Sequence, residues 1–159
     1  MISWLKTTPI FLTLFLIFVA HGYTQRADDS LSAYLDQFLD LWHRYAAEAN
    51  HSAYTGAMTP DGVFIGTDPT ERWTTSEFSS WSRPYFERKR TWDFRATNRH
   101  ITLSDDGRTA WFDELLTTQM GLCRGSGVLV RQDGTWKIAQ YVLSPTVPNP
   151  LMKQVTAIK

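Results

Sequence analysis

The stretch ITLSDDGRTAWFDELLTT, residues 101–118, decides the fold of this chain. Its residues follow a period of two on both sides of Asp105-Asp106-Gly107, which is typical of a hairpin turn between antiparallel strands. We therefore predict one strand over 92–104 and a second over 109–120.

The sequence after this hairpin predicts two further strands. They run over 123–132 and 136–144, and Asp133-Gly134 between them is another hairpin signal. Three prolines at 145, 148 and 150 then end strand pairing. The second half of the chain thus reads as a four-stranded meander.

The sequence before the hairpin is mainly helical. Over 30–49, apolar residues recur at steps of three and four, which predicts an amphipathic helix. A short helix over 51–58, a turn at 59–62 and a short strand over 63–67 follow. A third helix begins at Thr74 or Thr75 with Glu77 completing a capping box, and Pro84 is expected to bend or restart it. Helices followed by strands predict an α+β domain with the helices on one face of a curved antiparallel sheet.

Residues 1–22 have the layout of a secretory signal peptide, with an apolar run over 10–20 and small residues before a cut after Gly22. We expect a periplasmic or secreted domain over 23–159, with its core at about 30–145 and no membrane contact after cleavage. An uncleaved anchor is the alternative.

Lys and Arg together number 16, as do Asp and Glu, so no basic excess points to nucleic acid. Cys123 is the sole cysteine, which excludes an internal disulfide.

Four segments resemble the SnoaL-like domains of the nuclear-transport-factor-2-like (NTF2-like) superfamily, in an exported bacterial branch of unassigned activity. They are VFIGTDPTERWTTSEF (63–78), AWFDELL (110–116), CRGSGVLV (123–130) and WKIAQYVLSPTVPNP (136–150). The resemblance implies a cone-shaped α+β barrel, in which a strongly curved antiparallel sheet wraps around a long N-terminal helix, with about three helices and a pocket at the open end. The same fold hosts isomerases, cyclases, dehydratases and non-catalytic domains, so it does not choose a function.

The resemblance makes a cavity carboxylate the first catalytic candidate. Asp113 and Glu114 are neighbours on a strand and must face opposite sides of the sheet, but alternation does not tell which one faces inward. An ion pair with Arg124 or Arg95 is the structural alternative. His100 is the third candidate for acid–base chemistry, against a purely structural role.

Candidate ligand-binding residues lie in the loop 66–75 and on the last strand. Asp68 and Glu71 would face a ligand beside Trp73, although we predict that this loop is mainly architectural, with Trp73 as its anchor. Gln140 shares a predicted face with Trp136 and Ile138, and would be a polar group in an apolar cavity. Arg124 and Trp42 complete the set. We expect no metal site and no cofactor, and a buried, inert Cys123.

The leading functional hypothesis is a pocket for a small apolar or amphipathic molecule. The alternatives are a cofactor-independent isomerase, cyclase or dehydratase, and a non-catalytic dimeric structural module. We also expect a homodimer through the outer face of the sheet, where the alternation predicts Tyr141 and Leu143.

Overall fold

A computed structural model describes the backbone of residues 10–89 and 91–158, and the side chains of 28–89 and 91–158. The helices are α1 (Ile10–Ala47), α2 (His51–Gly56), α3 (Thr75–Glu87) and α4 (Met152–Thr156), the last preceded by a 3-10 turn at Asn149–Leu151. The strands are β1 (Met58–Ile65), β2 (Arg72–Thr74), β3 (Arg95–Leu103), β4 (Thr109–Thr118), β5 (Gly121–Gln132) and β6 (Thr135–Pro145).

The strands form one six-stranded sheet in the order β2-β1-β6-β5-β4-β3. The four strands of the predicted meander pair antiparallel, and β1 joins them by a parallel pairing with β6. The chain is therefore an α+β protein with a curved mixed sheet packed on a long N-terminal helix, which confirms the predicted fold class.

The long helix packs on the sheet through a buried stripe. Its fully buried positions are four, three and four residues apart, at Leu35, Leu39, Trp42 and Ala46. This is the spacing that places side chains on one face of a helix. The stripe belongs to a core that also includes inward-facing residues of the central strands, such as Phe112 and Ile138.

Local signals in the sequence are mostly realised as predicted. Thr74 caps α3, and Glu77 completes the capping box. Asp133 and Gly134 both have positive φ, 49° and 79°, as a tight hairpin turn requires. Pro84, however, does not restart α3, which continues to Glu87.

The predicted turn at 59–62 lies inside β1 instead. The pairing of β1 with β6 shifts register between Met58 and Val63, so these residues form an irregular stretch of the strand. Turn-forming residues within a strand are a common sign of such a bulge.

A second bulge reverses part of the prediction for β6. Val128 pairs with Gln140 but Leu129 pairs with Ile138, so β6 has one extra residue at this point. One extra residue moves every later side chain to the other face of the sheet. Tyr141 and Leu143, predicted on the outer face, are therefore buried, and Gln140, predicted in the cavity, is exposed.

The predicted signal peptide cannot be compared with the structure. Residues 1–9 lie outside the described residues, and for 10–22 the structure describes only helical backbone. In the described part of the chain, no helix combines the length and the apolar character that a membrane span requires.

Candidate functional site

An aromatic cleft opens between the end of β1, the helix α3 and the segment 91–94 before β3. Its volume is about 180 Å³. Six aromatic side chains line it: Phe64, Trp73, Phe78, Trp81, Trp92 and Phe94. Leu143, Met120, Thr67, Gly66 and Glu71 complete the lining. The cleft is therefore mainly apolar, and among the described residues Glu71 contributes the one charge of its lining.

The aromatic lining is ordered by stacking. Phe64 and Phe78 stack with their ring centroids 4.0 Å apart and their planes 5° apart. Trp81 stacks on Trp73 at 4.4 Å and on Trp92 at 5.9 Å. Stacked rings gain energy beyond that of area burial, so the stacking stabilises this wall of the cleft.

The half-buried Glu71 is held by the loop that precedes β2. Its Oε2 accepts the backbone N–H of Asp68 at 3.2 Å, and its carbonyl accepts the N–H of Gly66 at 2.8 Å. A Cβ added at Gly66 would overlap Oε2, so the carboxylate lies directly against that glycine. The backbone of Gly66 and the N–H of Asp68 therefore fix the position of the Glu71 carboxylate.

Asp68 does not face the cleft. Its Oδ1 accepts the backbone N–H of Thr70 at 2.9 Å and the Thr70 hydroxyl at 2.6 Å, which is an Asx turn. These hydrogen bonds, that of the hydroxyl first, lower the pKa of Asp68. The side chain is exposed, so its role is to shape the loop.

A second feature, buried in the core, is a polar cluster around Glu114. The side chain is fully buried. Its Oε1 accepts from His43 Nε2 at 2.8 Å and from the Tyr141 hydroxyl at 3.1 Å. Arg99 Nε donates to Oε2 at 2.8 Å, and the same guanidinium reaches Asp36 at 2.6 Å and Asp40 at 3.0 Å at the surface of α1. Glu114 is thus fully hydrogen-bonded, as a buried charge must be.

The partners of Glu114 decide its ionisation. Burial by itself raises the pKa of the carboxyl, but the hydrogen bonds and positive charges supplied by His43 and Arg99 outweigh it and hold the pKa below its usual value. Burial, and then the charge of Glu114, raise the pKa of Tyr141 well above its usual value. Burial likewise raises the pKa of Tyr54. The cluster therefore contains a carboxylate and one neutral phenol, Tyr141, over a wide pH range, and the Tyr54 phenol, which is not hydrogen-bonded to the cluster, also stays neutral.

Of the two neighbouring carboxylates, Glu114 is the one that faces inward, as the alternation required of one of them. Asp113 lies on the outer face, where it is 3.3 Å from Arg124 and both side chains are about half exposed. This ion pair is the alternative that the sequence left open. Asp113 and Arg124 therefore do not line the cleft.

His100 and Trp42 also lie away from the cleft. His100 pairs with Asp113 in the β3–β4 register and is exposed, so it cannot act as a base in the interior. Trp42 is fully buried, donates its indole N–H to the Tyr54 carbonyl at 2.9 Å and stacks on the Tyr54 ring at 4.8 Å. Its role is in the core.

Like Arg99, His43 is a member of the cluster that the sequence did not single out. It follows Leu39 by four residues, so the helical period places it at the edge of the buried stripe, and that spacing could have identified it. Its Nδ1 has no hydrogen-bond partner among the described residues. Phe94, which lines the cleft, packs edge-on against His43 at 5.9 Å. Phe94 thus links the cleft to the cluster, as does Phe64 of the lining, whose ring centroid lies 5.5 Å from that of Tyr141.

The described residues contain no group of three or more His, Cys, Asp or Glu side chains placed to hold a metal ion. Cys123 is buried and unpaired by any disulfide.

Comparison with known proteins gives one family match. The profile of the SnoaL-like domain family matches residues 35–148. No curated protein matches the chain significantly.

Solved structures share the architecture at low sequence identity. An NTF2-like protein of unknown function from Pseudomonas putida KT2440 is 12% identical and has a TM-score of 0.61, with 74% of this chain and 87% of that chain covered. A presumed dehydratase of the NTF2-like family from Streptomyces avermitilis is 15% identical, with a TM-score of 0.62 and coverage of 77% and 99%. A Catenulispora acidiphila protein in complex with S-DNPA is 23% identical, with a TM-score of 0.58 and coverage of 73% and 93%. These similarities show the fold.

Proposed function

We propose that this chain, which belongs to the SnoaL-like domain family, is an exported binding domain that takes a small apolar or amphipathic molecule into its aromatic cleft. The observation that carries the proposal is the lining of that cleft, with six aromatic side chains and one carboxylate. Ligand sites in proteins typically combine an apolar wall with a few polar groups that fix orientation.

The size of the cleft limits the ligand. Its volume is about 180 Å³, whereas sites for drug-sized molecules measure roughly 300–1,000 Å³. An apolar cavity of roughly 150 Å³ binds benzene. The cleft therefore suits a body about the size of a single ring, with any polar end directed toward Glu71 or the solvent.

Catalysis by Glu114 is the weaker candidate. A carboxylate beside a tyrosine and a histidine has the groups needed for proton transfer, and Glu114 has both within 3.1 Å. Neither Glu114 nor Tyr141 is exposed, however, so a substrate would have to displace core side chains to reach them.

A purely structural module is the remaining alternative. The stacking of Trp73, Trp81 and Trp92 on one another stabilises the fold without any ligand. What favours a binding site is that these rings also bound an open space beside the carboxylate of Glu71.

The test is native mass spectrometry of the full-length protein expressed with its own N-terminus and purified from the exported fraction. We expect a co-purified small molecule in the wild-type spectrum and an intact mass that lacks residues 1–22. Met120, which is 45% exposed and lines the cleft, offers a way to obstruct it: Met120→Trp should remove the bound molecule. Leu122→Trp, at a similarly exposed position outside the lining, is the matched control.

Four outcomes would argue against these proposals. Wild-type protein without a bound molecule would remove the binding function. A molecule that survives Met120→Trp would place the site elsewhere. Chemical conversion of the bound molecule during incubation would favour the enzyme, and retention of residues 1–22 would contradict export.

A further inference from the structure

We propose that the cleft selects small organic cations, in particular methylated ammonium groups, and that Glu71 determines this specificity. The inference rests on the proposed binding function and names the chemical class of its ligand. It starts from the charge of the cleft: among the described residues, Glu71 is the only ionisable side chain in the lining, and no cation lies within ion-pair distance of it.

The position of Glu71 leaves part of its carboxylate available. Oε2 accepts the Asp68 N–H, and within the described residues Oε1 has no hydrogen bond. That single bond explains why an acceptor lies here, but not why it is charged, since a Gln amide oxygen could accept the same N–H. The negative charge is therefore the feature that the loop itself does not require.

The surroundings of the carboxylate strengthen its effect on a ligand. Apolar walls reduce the screening that water provides, so a charge beside them interacts more strongly with a charged ligand. Cations are also attracted to the faces of aromatic rings, most strongly to Trp. Trp73 and Trp92 border the cleft, and each stacks on Trp81 through one face only. The carboxylate and the rings therefore favour the same sign of charge, and both disfavour anions.

A methylated ammonium fits these surroundings better than a primary amine. Its methyl groups spread the charge over an apolar surface, so it loses less hydration on entering an aromatic site, which is the basis of aromatic recognition of choline and methyl-lysine. A primary ammonium has three donors to satisfy, and Glu71 and Thr67 are the polar side chains that line the cleft.

The test compares choline with neohexyl alcohol, the uncharged isostere in which carbon replaces the quaternary nitrogen. Binding to the full-length protein is followed by tryptophan fluorescence, since three of the cleft side chains are Trp. We expect choline to bind about tenfold more tightly than the alcohol. Glu71→Gln should weaken choline binding more than alcohol binding and so reduce that preference several-fold, while the rings retain the remainder. Asp61→Asn, which removes an exposed carboxylate of β1 outside the lining, should keep the full preference.

The wild-type comparison needs no variant, so a folding defect in Glu71→Gln cannot obscure the result. Equal binding of choline and the alcohol would overturn the cation specificity while leaving the binding function intact. A preference for choline that is undiminished in folded Glu71→Gln would show that Glu71 does not determine it. Failure of both probes to bind, with no co-purified molecule, would remove the binding function and this inference together.

Discussion

At the scale of single residues, Glu114 shows how a buried charge depends on partners that are distant in sequence. His43 precedes it by 71 residues and Tyr141 follows it by 27. Strand alternation predicted that one carboxylate of the pair Asp113 and Glu114 would face inward. It could not predict which of the two faces inward, because that depends on which side of the sheet carries α1. It also could not predict that His43 and Tyr141 are the hydrogen-bond partners of Glu114.

The pKa shifts in this cluster predict how stability depends on pH. The pKa of Glu114 is lower in the folded chain than its ordinary 4.5, so its contribution is present above that pH and is lost as the pH falls further. The pKa of Tyr141 is raised above its ordinary 10.0, so its contribution is present below pH 10.0 and is lost as the pH rises past it. The stability of the fold should therefore decline both at acid pH, below 4.5, and at alkaline pH, above 10.0.

Tyr141→Phe separates the two declines. Phe cannot ionise, so we expect a shallower loss of melting temperature above pH 10.0, with Tyr54 retaining part of the alkaline loss. The acid decline should change less and begin at a slightly higher pH, because the Glu114 carboxylate loses one of its donors. At neutral pH the variant should be less stable by about 1–2 kcal/mol, because Glu114 loses a donor. Melting curves from pH 3 to pH 11 measure this, and alkaline branches that superimpose would contradict it.

At the scale of elements, the loop between β1 and α3 shows what local sequence can and cannot specify. The Asx turn at Asp68 and the capping box of α3 use partners two or three residues apart, and both types of interaction were readable from the sequence. The short strand β2 was not, because its pairing of Trp73 with Phe64 joins residues across the loop. The bulges in β1 and β6 escaped prediction for the same reason.

The role of Trp73 as the anchor of this loop gives a prediction for stability. Its ring stacks on Trp81 at 4.4 Å and lies 5.9 Å from Phe78, but it is only partly buried. Trp73→Ala should therefore cost less than the roughly 3–5 kcal/mol of a fully buried Trp, about 2 kcal/mol. Glu71→Ala, which loses one hydrogen bond to Asp68, should cost about 1 kcal/mol or less.

Thermal unfolding of both variants beside the wild type measures the difference. A fall of melting temperature that is larger for Glu71→Ala than for Trp73→Ala would mean that the hydrogen bond to Asp68, and not the stacked ring, holds the loop. In that case the loop would not be anchored as the sequence predicted.

At the scale of the whole molecule, the outer face of the sheet remains the proposed dimer surface, although the residues predicted to form it do not. The bulge in β6 turns Tyr141 and Leu143 into the core. In their place, Trp111, Val128 and Gln140 are in register across β4, β5 and β6. Trp111 is 49% exposed, it lies on β4, next to the edge strand β3, and an exposed Trp is the kind of side chain that anchors protein interfaces.

We therefore predict a homodimer in which the outer faces of two sheets pack with Trp111 near the centre. A buried Trp at the middle of an interface commonly supplies a large share of the binding energy, so Trp111→Glu should yield a monomer. The folded monomer should survive, because Trp111 does not belong to the core. Leu151→Glu, which adds the same charge at a site 44% exposed on the C-terminal 3-10 turn, should leave the dimer intact. Light scattering at high micromolar concentration distinguishes the two states, and a wild-type monomer would show that this face does not pair.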